Sequence, residues 1–440
     1  MRSINHTAAG NVRTLRLLRL RQTYHHTLAL ALIIATAILA VGPLLGLATV
    51  RQRPAQEKAR RKKLGSSLKR LRWDSTKNAA VEPREKRSSR VVATSDDSPI
   101  KLETLLVVFD VTVTDAATSI PVTGLGKDDF VVTEDGSVQQ IASVTRGDDA
   151  SLPRSIVLIV DSSSSQRAYL DASIDAAKEL VRRLAPADEM AIVTDDVNLL
   201  ADFTSDKAHL VRILDSLLKR TRNSAEPGRS LQFTALFAVL REMVRSEGKR
   251  PIIIFQTDGD EAPTLRDQDP DGAWREAYDR KFGGIREYGL GDVTRAAERS
   301  RATIYTVVPS ERLAGLTREE ATRRARGMLD RTSDAAVRTP RSGPSERLRE
   351  LFIDRFVKGQ EAALRVAELT GGRAAFLQKP GDASKIYSAI LSDINQRYII
   401  AYYPANSERD GRRRSVKIEV RGHAEYTVHG RTSYLAPGGE

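Results

Sequence analysis

The sequence predicts an α/β fold on a doubly wound, mostly parallel sheet, with a small flanking β module and an N-terminal transmembrane helix. Three observations carry this. Short apolar runs at 155–160 (SIVLIV) and 251–255 (PIIIF) are each bounded by polar residues, as suits strands buried on both faces, and 303–308 (TIYTVV) reads as a further strand. Segments of helical periodicity lie between them, and strands that alternate with helices imply a covered parallel sheet. Outside this region the pattern changes to strands and turns, and near the N-terminus to one long uncharged run.

The elements follow in order. Residues 1–26 form a basic segment, and 27–50 (TLALALIIATAILAVGPLLGLATV) run without a charge. Twenty-four residues suffice to span a bilayer and are long for a signal-peptide core, although Gly46-Leu47-Ala48 could serve as a cleavage site. Residues 51–99 are charged, Ser-rich and poor in large apolar side chains. That is the composition of a disordered linker, with a short basic helix around 58–72 as an option. The stretches 105–114, 130–134 and 139–144 read as strands, separated by turns at 124–126 and at Asp135-Gly136, a strong hairpin signal. Together 100–150 make a small β module, too short for a core of its own.

The α/β domain spans 151–397. Strands are expected at 155–161, 190–194, 197–203, 251–257, 303–308 and 374–377. Helices are expected at 169–184, 207–218, 234–246, 294–301, 356–370 and 384–396. Two insertions, 259–291 and 310–355, interrupt the alternation. The second is rich in Arg and Glu and reads as solvated helices. Residues 398–440 form a C-terminal β segment, with strands at 398–403, 415–421 and 426–434, which could complete the small β module.

The formal net charge is +13, but residues 1–100 hold twenty basic and six acidic side chains, so the remainder is close to neutral. The basic leader adjoins the apolar run, so anionic lipid headgroups are its expected partner rather than nucleic acid. The basic N-flank favours an inside N-terminus, while ten Lys/Arg in 51–72 pull the other way. With no cysteine, disulfides, thiol catalysis and Cys-based zinc sites are excluded, and the redox compartment stays open. The six histidines show no zinc-ligand spacing, and no nucleophile elbow or phosphate loop is found in a suitable context.

The strand at 155–160 runs into Asp161-Ser162-Ser163-Ser164-Ser165. In an open α/β sheet, ligands bind beyond the C-terminal strand edge. Asp258 ends the strand at 251–257, expected beside the first one, and Thr234 opens a helix in QFTAL. Two carboxylates and three hydroxyls, from Asp161, Ser163, Ser165, Thr234 and Asp258, could converge there with water. That is a hard oxygen set suited to Mg²⁺, Mn²⁺ or Ca²⁺.

These residues resemble the metal-ion-dependent adhesion site of the von Willebrand factor type A family: Asp161-x-Ser163-x-Ser165, Thr234 and Asp258, with Ser164 where many members carry Gly. The resemblance implies a Rossmann-like fold over about 152–400. It implies direct cation contacts from Ser163, Ser165 and in some members Thr234. Asp161 and Asp258 would act largely through water, and a partner protein would supply an Asp or Glu carboxylate. A narrower resemblance, carried by VTGLGKDDFVVTEDG, LTGGRAAF and QRYIIAYYPANSERDGRRRSVKIEV, is to the von Willebrand factor A-related proteins abundant in acidobacteria. Those are mostly exported, which points to an extracytoplasmic body.

The insertion after Asp258 contains DQDPDG at 267–272, which begins like a calcium loop, but Arg275 and Tyr278 stand at its ninth and twelfth positions, so an acidic loop framing the metal face is expected. Trp274, Asp260 and Glu261 are its candidate partner contacts. The expected function is a membrane-anchored, divalent-metal-dependent protein-binding module, not an enzyme. The alternatives are a metal-independent structural envelope protein, or a hydrolase or phosphotransferase using Asp161 or the metal. No evident general base lies near the motif, and Ser163 stands where a phosphoaspartyl enzyme wants a second Asp.

Overall fold

The structure is a computed structural model. It describes residues 62–83, 106–223, 230–244, 248–269, 272, 285–332 and 346–438. The chain divides into two compact units, 1–60 and 61–440, and only the second holds described residues. The expected membrane span at 27–50 therefore lies outside them. Among the described residues no helix is long and apolar enough to cross a membrane.

The central sheet has seven strands: β1 (Lys62–Lys63), β8 (Arg154–Val160), β9 (Glu189–Thr194), β10 (Asn198–Thr204), β11 (Arg250–Gln256), β12 (Thr303–Val308) and β13 (Ala374–Phe376), in the order β1-β10-β9-β8-β11-β12-β13. From β9 to β13 all pairings are parallel, and at the edge β10 runs against both of its neighbours, β9 and β1. The apolar runs predicted as buried strands are β8 and β11, and every residue in them and in β12 is buried.

Successive side chains of these strands enter opposite layers, as the pleat requires. Val157, Ile159, Ile253, Phe255 and Ile304 pack beneath α3 (Gln232–Glu242), α4 (Leu290–Arg299) and α6 (Glu346–Leu369). Ile156, Leu158, Ile252, Ile254 and Tyr305 pack beneath α1 (Arg167–Arg183), α2 (Lys207–Asn223) and α7 (Ala383–Gln396). The Arg/Glu-rich insertion contributes α5 (Arg318–Thr332) and the first turns of α6. These are less solvated than their charge implies, because Leu313, Ala321, Ala325 and Ile353 form a small core of their own.

The flanking module is a sandwich of two four-stranded sheets. One has the order β16-β4-β14-β7, from β4 (Val107–Asp115), β7 (Ile141–Arg146), β14 (Tyr398–Tyr402) and β16 (Tyr426–Gly430). The other has the order β17-β15-β5-β6, from β5 (Phe130–Glu134), β6 (Ser137–Gln139), β15 (Arg413–Val420) and β17 (Ser433–Leu435). Phe109, Val111, Phe130, Val132, Tyr398, Ile400, Val416 and Ile418 fill the space between them. The C-terminal segment thus completes the N-terminal β module, as its strict alternation in β15 allowed. The expected single strand at 426–434 is two, β16 and β17, which pair in different sheets.

One assignment is overturned. Part of the segment read as a disordered linker is ordered. Lys62–Lys63 pair with β10, and β2 (Arg72–Asp74) and β3 (Ala79–Val81) form a hairpin. Three leucines spaced through the basic run, Leu64, Leu68 and Leu71, are buried against the α3 side of the main core. The Glu242 carboxylate accepts the Gly65 and Ser67 N–H groups at 3.0 and 2.8 Å and the Ser67 hydroxyl at 2.7 Å. Mean composition hides three well-placed apolar residues whose cavity is built by distant sequence.

Candidate metal centre

The site lies at the C-terminal edge of β8 and β11, which pair in parallel with Ile159 opposite Phe255. Two residues beyond that pair bring Asp161 level with Thr257, so Asp161 and Asp258 leave adjacent strands side by side. The β8 loop then folds back on itself. Ser163 N–H donates to Asp161 Oδ1 at 3.0 Å, and the Ser163 and Ser165 hydroxyls meet at 2.9 Å. Ser165 Oγ donates to Asp258 Oδ2 at 2.7 Å. Four of the five predicted side chains therefore form one hydrogen-bonded cluster.

Two glutamines complete it. Gln166 Nε2 donates to Asp258 Oδ2 at 2.8 Å, while its buried Oε1 has no partner among the described residues. Gln232, at the start of α3, reaches Asp161 Oδ2 and Asp258 Oδ1 with one nitrogen, at 2.7 Å each, and Ser230 Oγ at 2.6 Å. Its Oε1 accepts from Gly259 N–H at 3.1 Å and from the Thr257 hydroxyl. The loop before α3 is tied in through Asp195. This residue accepts Ser162 N–H and Oγ at 2.9 and 2.8 Å, and its carbonyl receives Leu231 N–H at 3.1 Å.

Thr234 stands differently from expectation. Its hydroxyl donates to Glu261 and accepts from Tyr288 at 2.9 Å. Glu261 also takes the Phe233 and Thr234 N–H groups, at 2.7 and 3.2 Å, and so caps α3 from outside its own sequence. Glu261 was expected to face a partner; it is buried, because the N-terminus of α3 draws its carboxylate inward. Asp260 keeps 38% of its side chain exposed but is paired with Arg355 Nε at 2.6 Å. Trp274 lies outside the described residues. Asp267, the first residue of the calcium-like run, caps α4 instead, accepting Leu290 and Gly291 N–H at 2.6 and 2.8 Å.

The electrostatics are those of crowded acids. Burial, followed by the negative charges of Asp258 and Asp195, holds the Asp161 carboxyl well above the ordinary carboxylate range. Burial likewise pushes Asp195 up to about 6 and Glu261 up to about 7. Among the described residues no group of three or more His, Asp or Glu side chains is arranged around one point as a ligand set. The cluster at Asp161 draws instead on two carboxylates and two hydroxyls, the donor chemistry of a hard divalent cation.

Sequence reasoning missed Gln166, Gln232 and Asp195. Gln232 had a visible signal: it opens a helix in which every residue from Gln232 to Leu240 is buried, and a polar residue there demands a partner.

A doubly wound α/β domain with a hydroxyl and carboxylate cluster at its C-terminal edge is the class the fold defines. Residues 156–261, which include Asp161, Ser163, Ser165, Thr234 and Asp258, match the model of the von Willebrand factor type A domain family, so the chain carries a domain of that family. Among curated proteins none matches the sequence. Solved structures that resemble the chain include an aerotolerance-related membrane protein from Bacteroides fragilis carrying multiple mutations to serines. It is 15% identical, with 55% of this chain and 99% of that one covered and a TM-score of 0.32. The von Willebrand factor domain of the type V pili tip protein Mfa5 from Porphyromonas gingivalis is 15% identical, over 56% of this chain and 96% of that one, with a TM-score of 0.32. Manganese-loaded TRAP protein from Plasmodium vivax is 12% identical, over 71% of this chain and 100% of that one, with a TM-score of 0.29.

Proposed function

We propose that the chain is a membrane-tethered protein-interaction module that works through the loop edge joining Asp161, Ser163, Ser165 and Asp258. In this reading the edge takes a divalent cation, Mg²⁺ first, with Mn²⁺ and Ca²⁺ as the other hard candidates. One observation carries it: side chains from two separate loops meet in a single network of carboxylates and hydroxyls, and the charges acting on buried Asp161 are negative. Ser163 and Ser165 would present their hydroxyls to the ion, with Asp161 and Asp258 balancing its charge. When bound, the cation supplies positive charge and an open place for a partner's Asp or Glu carboxylate. Asp161 is fully buried with both oxygens engaged, which suits a ligand and not a nucleophile.

The apolar run 27–50 would anchor the module, with the body outside the membrane. Protease accessibility in intact cells tests that orientation. A metal-independent scaffold is the second reading, favoured by the commitment of the Thr234 hydroxyl to Glu261. Capture of the partner by the full chain, with and without chelator, separates the two. Loss on chelation, recovery with Mg²⁺ and loss in Asp161→Ala are expected. Capture unchanged by both treatments would leave the scaffold.

A further inference from the structure

We propose that Gln232 is a built-in plug of this cation site: its amide nitrogen holds the space between Asp161 and Asp258, and the ion binds only when that side chain withdraws. The inference rests on the reading of this edge as a cation site, and adds what limits its loading.

The nitrogen lies 2.7 Å from Asp161 Oδ2 and 2.7 Å from Asp258 Oδ1. Hard divalent cations bond oxygen at about 2.0–2.6 Å. Whether these two oxygens reach the ion directly or through its water shell, the amide nitrogen in contact with both competes with the ion or its waters for the same carboxylate oxygens. The amide cannot simply be turned over to offer its oxygen. Oε1 is held by Gly259 N–H at 3.1 Å and by the Thr257 hydroxyl, so Nε2 is the end that faces the carboxylates.

The fit is also that of a substitute. An amide nitrogen has two protons, yet three acceptors crowd it: the two carboxylates and Ser230 Oγ at 2.6 Å. An acceptor-rich centre is what a cation demands and an amide cannot fully serve. The amide is neutral as well, so it satisfies hydrogen bonds without offsetting the two carboxylates. Displacing it strands the Thr257 hydroxyl and leaves Gly259 N–H only its 2.9 Å contact to Thr257 Oγ1, and this cost weakens cation affinity. Gln232 thus sets the cation concentration at which the site becomes competent.

The test titrates Mn²⁺ and Mg²⁺ into detergent-solubilised full chain by calorimetry, with Mn²⁺ occupancy followed by electron paramagnetic resonance. Wild type, Gln232→Ala, Gln232→Glu and Asp161→Asn are compared. Gln232→Ala is expected to bind Mn²⁺ at least about tenfold more tightly than wild type, the scale of one hydrogen-bonded group. Asp161→Asn is expected to lose binding. Equal affinity in wild type and Gln232→Ala overturns the plug and leaves the cation site standing. No binding in any variant removes the cation site itself, and the plug with it. Should Gln232→Ala fail to fold by circular dichroism, Gln232→Glu decides, since it keeps the shape and replaces the donor with a ligand. A larger Mn²⁺-induced rise in Tm than wild type supports the plug, and an equal rise overturns it.

Discussion

At the start of α3 the Glu261 carboxylate takes two backbone N–H groups and the Thr234 hydroxyl. Glu261→Ala strands three donors in a dry site, at a cost of about 2–4 kcal/mol. Urea unfolding should give that loss, with Glu261→Gln falling between it and wild type; a Glu261→Ala variant as stable as wild type would refute the capping role. The same residue marks the limit of what the sequence discloses. The Asp161-x-Ser163-x-Ser165 run was legible because its hydrogen bonds are local, two residues apart. Asp258 was legible because strand order puts it beside Asp161. Glu261 and Gln232 act on groups 26 to 71 residues away, along a path no local pattern specifies. A charge after a strand end looks exposed until the helix that draws it inward is known.

At the scale of elements, α6 fixes the loop that carries Asp258. Gly259 has a φ of +86°, which favours glycine, and its backbone crosses α6 at Gly359. A Cβ on Gly359 would lie 2.3 Å from Gly259 O, a contact that backbone atoms can relieve only by moving apart. From the same helix Arg355 donates to Asp260 at 2.6 Å and to Thr264 Oγ1 at 2.8 Å. Gly359→Ala should therefore cost about 1–3 kcal/mol by overpacking and weaken Mn²⁺ binding together with it. A Tm lowered with cation affinity untouched would detach α6 from the site. The apolar half of α6, read as 356–370, was legible from its period. Its first turns were not, since they are packed against α5 by a few residues in an Arg- and Glu-rich stretch.

A second junction joins the sheet layers. Asp393, near the end of α7, accepts the Tyr305 hydroxyl at 2.6 Å and Thr112 Oγ1 of β4 at 3.1 Å, and pairs with Arg397 at 2.9 Å and Arg373 at 3.1 Å. Burial raises its pKa, but the Arg397 charge, the Tyr305 hydrogen bond and the Arg373 charge outweigh it, so the carboxyl sits below its ordinary value. A depressed folded pKa means stability that is complete above the unfolded value of about 3.9 and is lost as pH falls through the folded one. Asp393→Asn should thus be less stable than wild type at pH 7, with the gap closing below about pH 4. A gap independent of pH across that range would mean the charge is not what matters.

The whole molecule is interlocked by its two ends, and the two do not contribute alike. β14 follows α7 directly and enters the sandwich between β4 and β7, pairing with both. Ending the chain at Arg397 leaves β4 and β7 without the strand between them and removes Tyr398, Ile400, Tyr402, Val416 and Ile418 from one core. No remaining segment can replace them, so this truncation should yield aggregated protein. The strap at 62–83 is laid on from outside. Removing 1–83 leaves every other strand of the main sheet paired, but it uncovers β10 and the cavity that holds Leu64, Leu68 and Leu71. Burial of one leucine contributes about 1.5–3 kcal/mol before ordering is counted, and an uncovered strand edge invites pairing with another chain. That variant should keep its circular dichroism spectrum, melt earlier and elute in part as a dimer from a sizing column. If it melts with the full chain and stays monomeric, the strap is only a tether; if it fails to fold, the strap is part of the domain and not its cover.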